Sequence, residues 1–168
     1  MTLTLILIRH AKSSWDDMFS DDHARVLNAR GRAAAPSIGA WMATRGYIPQ
    51  VVLCSDAART RETAGLILPH LSPQPELRVS SDLYHASPDA MLAEICKQTS
   101  PVLALIGHNP GIALLANGLL KRRPSHPRFA DYPTCATTVI TFDADSWRDA
   151  APNTGTCKDF IVPGDLTG

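Results

Sequence analysis

Leu3–Ile8 is apolar except at Thr4, and Val51–Leu53 and Val102–Ile106 are apolar throughout. Short runs of this kind are what strands buried on both faces look like. Helical patterns separate them. Asn28 caps a predicted helix that runs to about Arg45, where Gly46 supplies a left-handed stop. A second helix is predicted from about Ala57 to Leu68. Ser87-Pro88 opens a third that runs through Lys97, with serine as cap and proline in the first turn. Gly111–Leu120 is the fourth. Lys121–Thr134, rich in proline and basic residues, is predicted to be a long loop, and Thr137–Phe142 and Lys158–Val162 are late strands. Fully apolar strands alternating with helices predict an α/β fold: a three-layer α/β/α sandwich around a mainly parallel sheet. Ligands of such sheets bind beyond the carboxyl ends of the strands.

The chain has 168 residues, 45% hydrophobic and 19% charged, with no repeat or linker. That predicts one domain over residues 1–168. Sixteen basic residues balance sixteen acidic ones, which argues against nucleic acid or membrane as a partner but leaves room for a local basic site. The N-terminal apolar run is too short to span a bilayer and lacks a charged start, so a cytoplasmic protein is expected. Cys54, Cys96, Cys135 and Cys157 form no Cys-x-x-Cys pair; reduced thiols acting as small apolar residues are expected, with a Cys135–Cys157 disulfide as the alternative, and no metal and no cofactor.

Three strand ends carry the chemistry. Ile8-Arg9-His10-Ala11-Lys12-Ser13-Ser14 follows the first strand, Cys54-Ser55-Asp56-Ala57-Ala58-Arg59-Thr60-Arg61-Glu62-Thr63 the second, and Gly107-His108-Asn109-Pro110-Gly111 the Val102–Ile106 strand. Singly, each has an ordinary explanation as a turn or a solvated helix charge. Jointly they bring arginines and two histidines to one sheet edge, with no carboxylate in the motif cores. Arginines bind phosphoryl oxygens bidentately, and an imidazole can attack phosphorus. One arginine about 4 Å from a phosphate charge contributes on the order of 4 kcal/mol at an effective dielectric near 20. Phosphoryl transfer needs mainly positioning and charge neutralisation.

Arg9-His10-Ala11 resembles the Arg-His-Gly strand end of the histidine phosphatase superfamily, whose fold is phosphoglycerate mutase-like. Arg-His-Ala-Lys-Ser-Ser-Trp, the Cys-Ser-Asp-Ala-Ala-Arg-Thr-Arg-Glu-Thr segment and Gly-His-Asn-Pro-Gly resemble its small SixA-type phosphohistidine phosphatases, over roughly Leu3 to Leu120. The resemblance implies that His10 is the nucleophile, that Arg9, Arg59 and His108 surround the phosphoryl group, and that Ser55 adds a contact. Arg25 matches an arginine near the first helix, as a pocket contact or a structural ion pair; Lys12 contacts phosphate or points to solvent. Ala11 departs from the usual glycine, and Val26 stands where relatives often have proline.

Larger members of the superfamily place a glutamate after the third strand to protonate an alkoxide. Here that stretch reads Ser81-Asp82-Leu83-Tyr84-His85-Ala86-Ser87, leaving Asp82 and His85 as candidate general acids. General acid catalysis is worth roughly 100- to 10,000-fold, and an imidazole, with a pKa near 6.5, leaves far more easily than an alkoxide. The expected substrate is therefore a phosphohistidine on a phosphotransfer or signalling protein. The alternatives are a small phosphorylated molecule hydrolysed as a phosphomonoester, or a phosphate-binding module without turnover. Neutral His10 is expected from its arginine neighbours, and a cationic His108 could help hold the dianion. His23, His70 and His126 are expected at the surface. Lys121-Arg122-Arg123 is expected to be a solvated cluster, with docking of an acidic partner as its alternative. Asp16-Asp17 and Asp21-Asp22 are turn formers or a charge screen.

Overall fold

The computed structural model describes residues 1–16, 19 and 21–167. Six strands form one mixed sheet: β1 (Thr2–Arg9), β2 (Val51–Ser55), β3 (Glu76–Ser80), β4 (Val102–Gly107), β5 (Thr137–Asp143) and β6 (Thr156–Ile161), in the order β3-β2-β4-β1-β5-β6. β1, β2, β3 and β4 run parallel to one another, and β5 lies antiparallel between β1 and β6. The helices are α1 (Ala29–Arg45), α2 (Ala58–Ile67), α3 (Pro88–Cys96), α4 (Gly111–Leu119) and the short α5 (Gly164–Thr167).

Side chains of the central strands alternate between two cores, as period-two geometry requires. Leu3, Leu5 and Leu7 of β1 join Leu103 and Leu105 of β4 against Met91 and Ile95 of α3 and Ile112 and Leu115 of α4. Ile6 and Ile8 join Ala104 and Ile106 against Ile38 and Met42 of α1 and Ala64 and Ile67 of α2. The sandwich is therefore three-layered and the sheet mainly parallel. Asn28 caps α1 by accepting from the Gly31 N–H at 2.9 Å, and Ser87 caps α3 through the Ala90 N–H.

β3 has no counterpart among the predicted strands. It sits at the sheet edge with Glu76, Leu77, Arg78 and Val79 all exposed, so no burial wrote an apolar run into it. The loop from Lys121 to Thr134 is present, but it is anchored: Phe129 and Tyr132 are buried in the core. The Tyr132 hydroxyl lies 3.0 Å from the Leu7 carbonyl, to which it donates, and 2.7 Å from Thr138 Oγ1. No helix among the described residues is long and apolar enough to cross a membrane.

Tyr132→Phe leaves the Leu7 carbonyl short of a donor at a fully buried site. It should lower unfolding stability by about 1–2 kcal/mol, read as a shift of the urea midpoint at unchanged slope.

Candidate active site

β1 and β4 are neighbours in parallel register, with Arg9 opposite Gly107. The next residues along these strands are His10 and His108, so their rings meet with centroids 5.3 Å apart. This is the switch point of the sheet: the chain leaves β1 for β2 and later returns to insert β4 between them. β2, on the far side of β4, delivers Ser55 and then Arg59 in the first turn of α2.

Both histidines are buried, His10 at 6% and His108 at 3% exposure. The His10 Nδ1–H donates to the Ala11 carbonyl at 2.7 Å, which leaves the Nε2 lone pair free. Burial first, then the charges of Arg9, Arg59 and Arg25, push the His10 pKa down to about 3, against the opposing pull of the Ala11 bond. His10 is thus neutral, as expected. His108 differs from the cationic form considered above: burial, with His10, Arg59 and His85 nearby, pushes it down to about 3 as well. Its Nε2 lies 2.8 Å from the hydroxyl of Ser55, itself fully buried, while its Nδ1 is buried with no hydrogen-bond partner among the described residues. Ser55 therefore reaches the pocket through His108.

The segment that follows β2 owes its pattern to packing. Arg59 is 2% exposed. Thr60 donates to the Ser55 and Ala57 carbonyls, and Thr63 donates to the Arg59 carbonyl at 2.7 Å while accepting the Ala11 N–H at 3.0 Å. Thr63 thereby ties α2 to the backbone beside His10. Glu62 accepts from the Leu27 N–H at 3.0 Å and from Arg32 at 2.6 Å. Arg61 is exposed and spans back to the Asp56 carbonyl.

The centre of the site is a residue that the sequence motifs did not single out. Asp22 accepts from Arg59 at 3.1 Å, from Arg25 at 3.0 Å, from the Tyr84 hydroxyl, and from His85 Nε2 at 2.9 Å. Its backbone carbonyl accepts a second Arg59 N–H at 2.7 Å. The Tyr84 hydroxyl first, then His85, Arg25 and Arg59, hold the Asp22 carboxyl well below the usual carboxylate range. Arg25 also donates to Ser13 and lies over the Trp15 ring at 3.9 Å; it makes the ion pair with Asp22, and its charge also acts on His10. Asp17 lies outside the described residues.

Of the two candidate acids, His85 is at the site, its ring 5.0 Å from that of His108 and its backbone left-handed at φ 48°. The first turn of α4 fixes this segment: a Cβ on Gly111 would stand 2.1 Å from the Ala86 carbonyl. Asp82 sits on the exposed turn before it, where its charge acts on Lys97. Lys12 is exposed and lines a groove with Arg9 and Arg30. His70 is at the surface; His23 and His126 are half-buried in 2.9 Å pairs with Asp56 and Asp165. All four cysteines are free, Cys54 and Cys135 buried. The Cys135 N–H donates to the carbonyls of Arg9 and His10 at 3.1 Å, another contact absent from the motifs. No group of three or more His, Cys, Asp or Glu residues among the described ones is placed to hold a metal ion.

Two histidines held neutral carry a pH signature. Between pH 6.5 and about 3 each is protonated in the unfolded chain and unprotonated in the fold, so stability falls as pH falls through that window. The slope reaches at most about 1.4 kcal/mol per pH unit for each histidine. Urea midpoints measured from pH 7.5 to 4.5 should drop more steeply for the wild type than for a His10→Gln, His108→Gln double variant.

Comparison with known proteins agrees with this geometry. Residues 5–84 match the model of the histidine phosphatase superfamily (branch 1). An uncharacterized protein of Mycobacterium leprae (strain TN) is 37% identical over 165 residues, covering 93% of this chain and 99% of that one. The protein assigned as SixA in Agrobacterium tumefaciens superposes with a TM-score of 0.79 at 25% identity, over 96% of this chain and 98% of that chain. The protein histidine phosphatase SixA complexed with tungstate gives 0.80 at 19% identity, over 98% and 99%. The fold is phosphoglycerate mutase-like, and the chain belongs to the histidine phosphatase superfamily as a phosphatase of the SixA type.

Proposed function

We propose that the protein hydrolyses phosphohistidine on a phosphotransfer or signalling protein, through a phosphohistidine of its own at His10. In the first step His10 Nε2 attacks phosphorus, an N–P bond forms, and the bond to the leaving group breaks. The new phosphoryl-imidazolium keeps its Nδ1–H on the Ala11 carbonyl, which stabilises its positive charge. In the second step water attacks phosphorus, the His10 N–P bond breaks with its electron pair returning to Nε2, and inorganic phosphate leaves. Arg9, Arg25 and Arg59 supply the positive field, and His108, held by Ser55, supplies a neutral ring beside the phosphoryl group. Donors aimed at charge that develops in the transition state are worth roughly 100- to 1,000-fold each.

The observation that carries the choice of substrate is the state of Asp22. Its carboxyl group bonds His85 and its charge acts on His108, and four donors keep it anionic. It has no proton to give. A phosphohistidine whose second ring nitrogen carries a proton leaves as neutral imidazole and needs none, whereas an alkoxide does.

His85 supports the rival reading, a small-molecule phosphomonoesterase, because its protonated Nε2 reaches the same carboxylate and the ring could protonate an alkoxide. Initial rates separate the two. Under the preferred reading a phosphohistidine peptide is hydrolysed at least about 100-fold faster than a small alkyl phosphate, and His85→Ala changes the peptide rate little. Equal efficiency on the alkyl phosphate, lost in His85→Ala, would establish the rival.

His10→Ala should abolish both turnover and an acid-labile, base-stable phosphoenzyme trapped by rapid quench; turnover in that variant would refute the nucleophile assignment. Because the free protein holds His10 neutral down to about pH 3, kcat/KM should show no acid limb at the ordinary histidine pKa near 6.5.

A further inference from the structure

Beside the phosphoryl site lies an open groove of about 450 Å³ whose charged lining is Arg9, Lys12, Arg30, Arg128 and Asp131. Arg9 belongs to both, so the groove continues from the strand end that carries the nucleophile. Its one carboxylate, Asp131, is already engaged by Arg128 at 3.0 Å. Lys12 and Arg30 have no carboxylate in ion-pair reach among the described residues, and the Nε of Arg9 is buried without a partner. Four cations against one acid leave a net charge of +3 in a chain whose formal net charge is zero.

The placement of these cations runs against local stability. Arg30 stands in the first turn of α1, which has no acidic residue, where the helix dipole favours anions and disfavours cations. The neighbouring Arg32 is compensated by Glu62 at 2.6 Å; Arg30 is not. Lys12 is held next to it by a close backbone contact. Its carbonyl accepts the Asn28 N–H at 3.0 Å, and a Cβ on Gly31 would stand 2.2 Å from that same carbonyl. Only glycine allows the approach, and the result is two uncompensated cations at the positive end of a helix.

We propose that this groove is a second anion subsite, which takes an acidic group, phosphate or carboxylate, that the substrate carries close to the phosphoryl group being removed. The proposal rests on the phosphatase reading of the adjacent site and extends it to substrate class. Neutral groups gain nothing from Lys12 and Arg30, while a second anion gains from both and from the dipole of α1. The same acidic group can come from side chains flanking a phosphohistidine on a protein or from a second phosphate on a small molecule.

Binding to His10→Ala protein tests this without requiring turnover. Two probe pairs are titrated: a phosphohistidine peptide with Asp and Glu flanks against the same peptide with Ser flanks, and propane-1,3-diol bisphosphate against propyl phosphate. The member that carries a second anionic group should, in at least one pair, bind about five- to tenfold more tightly, the scale of one or two partly exposed ion pairs. That ratio should shrink with added salt and collapse toward one when Lys12→Gln and Arg30→Gln are added. A preference confined to the peptides assigns the acidic group to a protein; one confined to the bisphosphate assigns it to a small molecule. Equal binding within both pairs, or a preference that survives Lys12→Gln and Arg30→Gln, overturns the subsite. Failure of the wild type to hydrolyse even the Ser-flanked peptide would instead count against the phosphohistidine reading and leave these binding ratios intact.

Discussion

Burying the Arg59 guanidinium is the constraint around which the site is organised. At 2% exposure its charge has lost most of its hydration, and an uncompensated buried charge costs several kcal/mol. Among the described residues its ion-pair partner is Asp22, which accepts from it through its carboxylate and its own backbone carbonyl. The carboxylate then has lone pairs left over, and Arg25, Tyr84 and His85 satisfy them. One charge pair thus fixes the loop before α1 and the segment after β3 to the first turn of α2. The donors on Asp22 include two of the arginines that the proposed mechanism gives to phosphate. Substrate binding at such a site exchanges one anion for another, so it leaves the charge of the arginines compensated in both states.

Topology explains why residues so distant in sequence meet. The return of the chain to place β4 between β1 and β2 puts His108 next to His10 and lets Ser55 stand behind it. The side chains that hold this geometry, Thr60, Glu62 and Thr63, occupy the motif that supplies Arg59, so much of that motif is structural. Thr63 illustrates the point: one hydroxyl links the Arg59 carbonyl to the Ala11 N–H, and so couples the first turn of α2 to the backbone next to His10.

What was legible from sequence tracks burial. β1, β2 and β4 are covered on both faces and read as apolar runs, and the caps at Asn28 and Ser87 are visible because a side chain must satisfy helix N–H groups there. β3 pairs on one side only and is exposed, so it carries no apolar run; its Glu76-Leu77-Arg78-Val79 does alternate as a strand does, but over too few residues to stand out. The candidate site was legible wherever a side chain ends or directly follows a strand, as Arg9, His10 and His108 do. Asp22 was not, because among Asp16, Asp17, Asp21 and Asp22 nothing local marks which one meets Tyr84 and His85, more than sixty positions away. The neutral state of His108 was also out of reach, since it depends on how deeply the ring is buried.

The order of causes at His10 bears on whether the proposed nucleophile stays neutral when substrate binds. If arginine charge alone kept His10 unprotonated, an arriving phosphoryl dianion would cancel that charge and restore an ordinary histidine, half-protonated near pH 6.5 and to that extent unable to attack. The largest cause is burial, with the arginines behind it. Desolvation does not change sign when phosphate arrives; a bound substrate excludes water further. Positive charge around the pocket is therefore free to serve attraction and transition-state stabilisation in the proposed mechanism, while burial of the His10 ring keeps its proposed attacking nitrogen unprotonated.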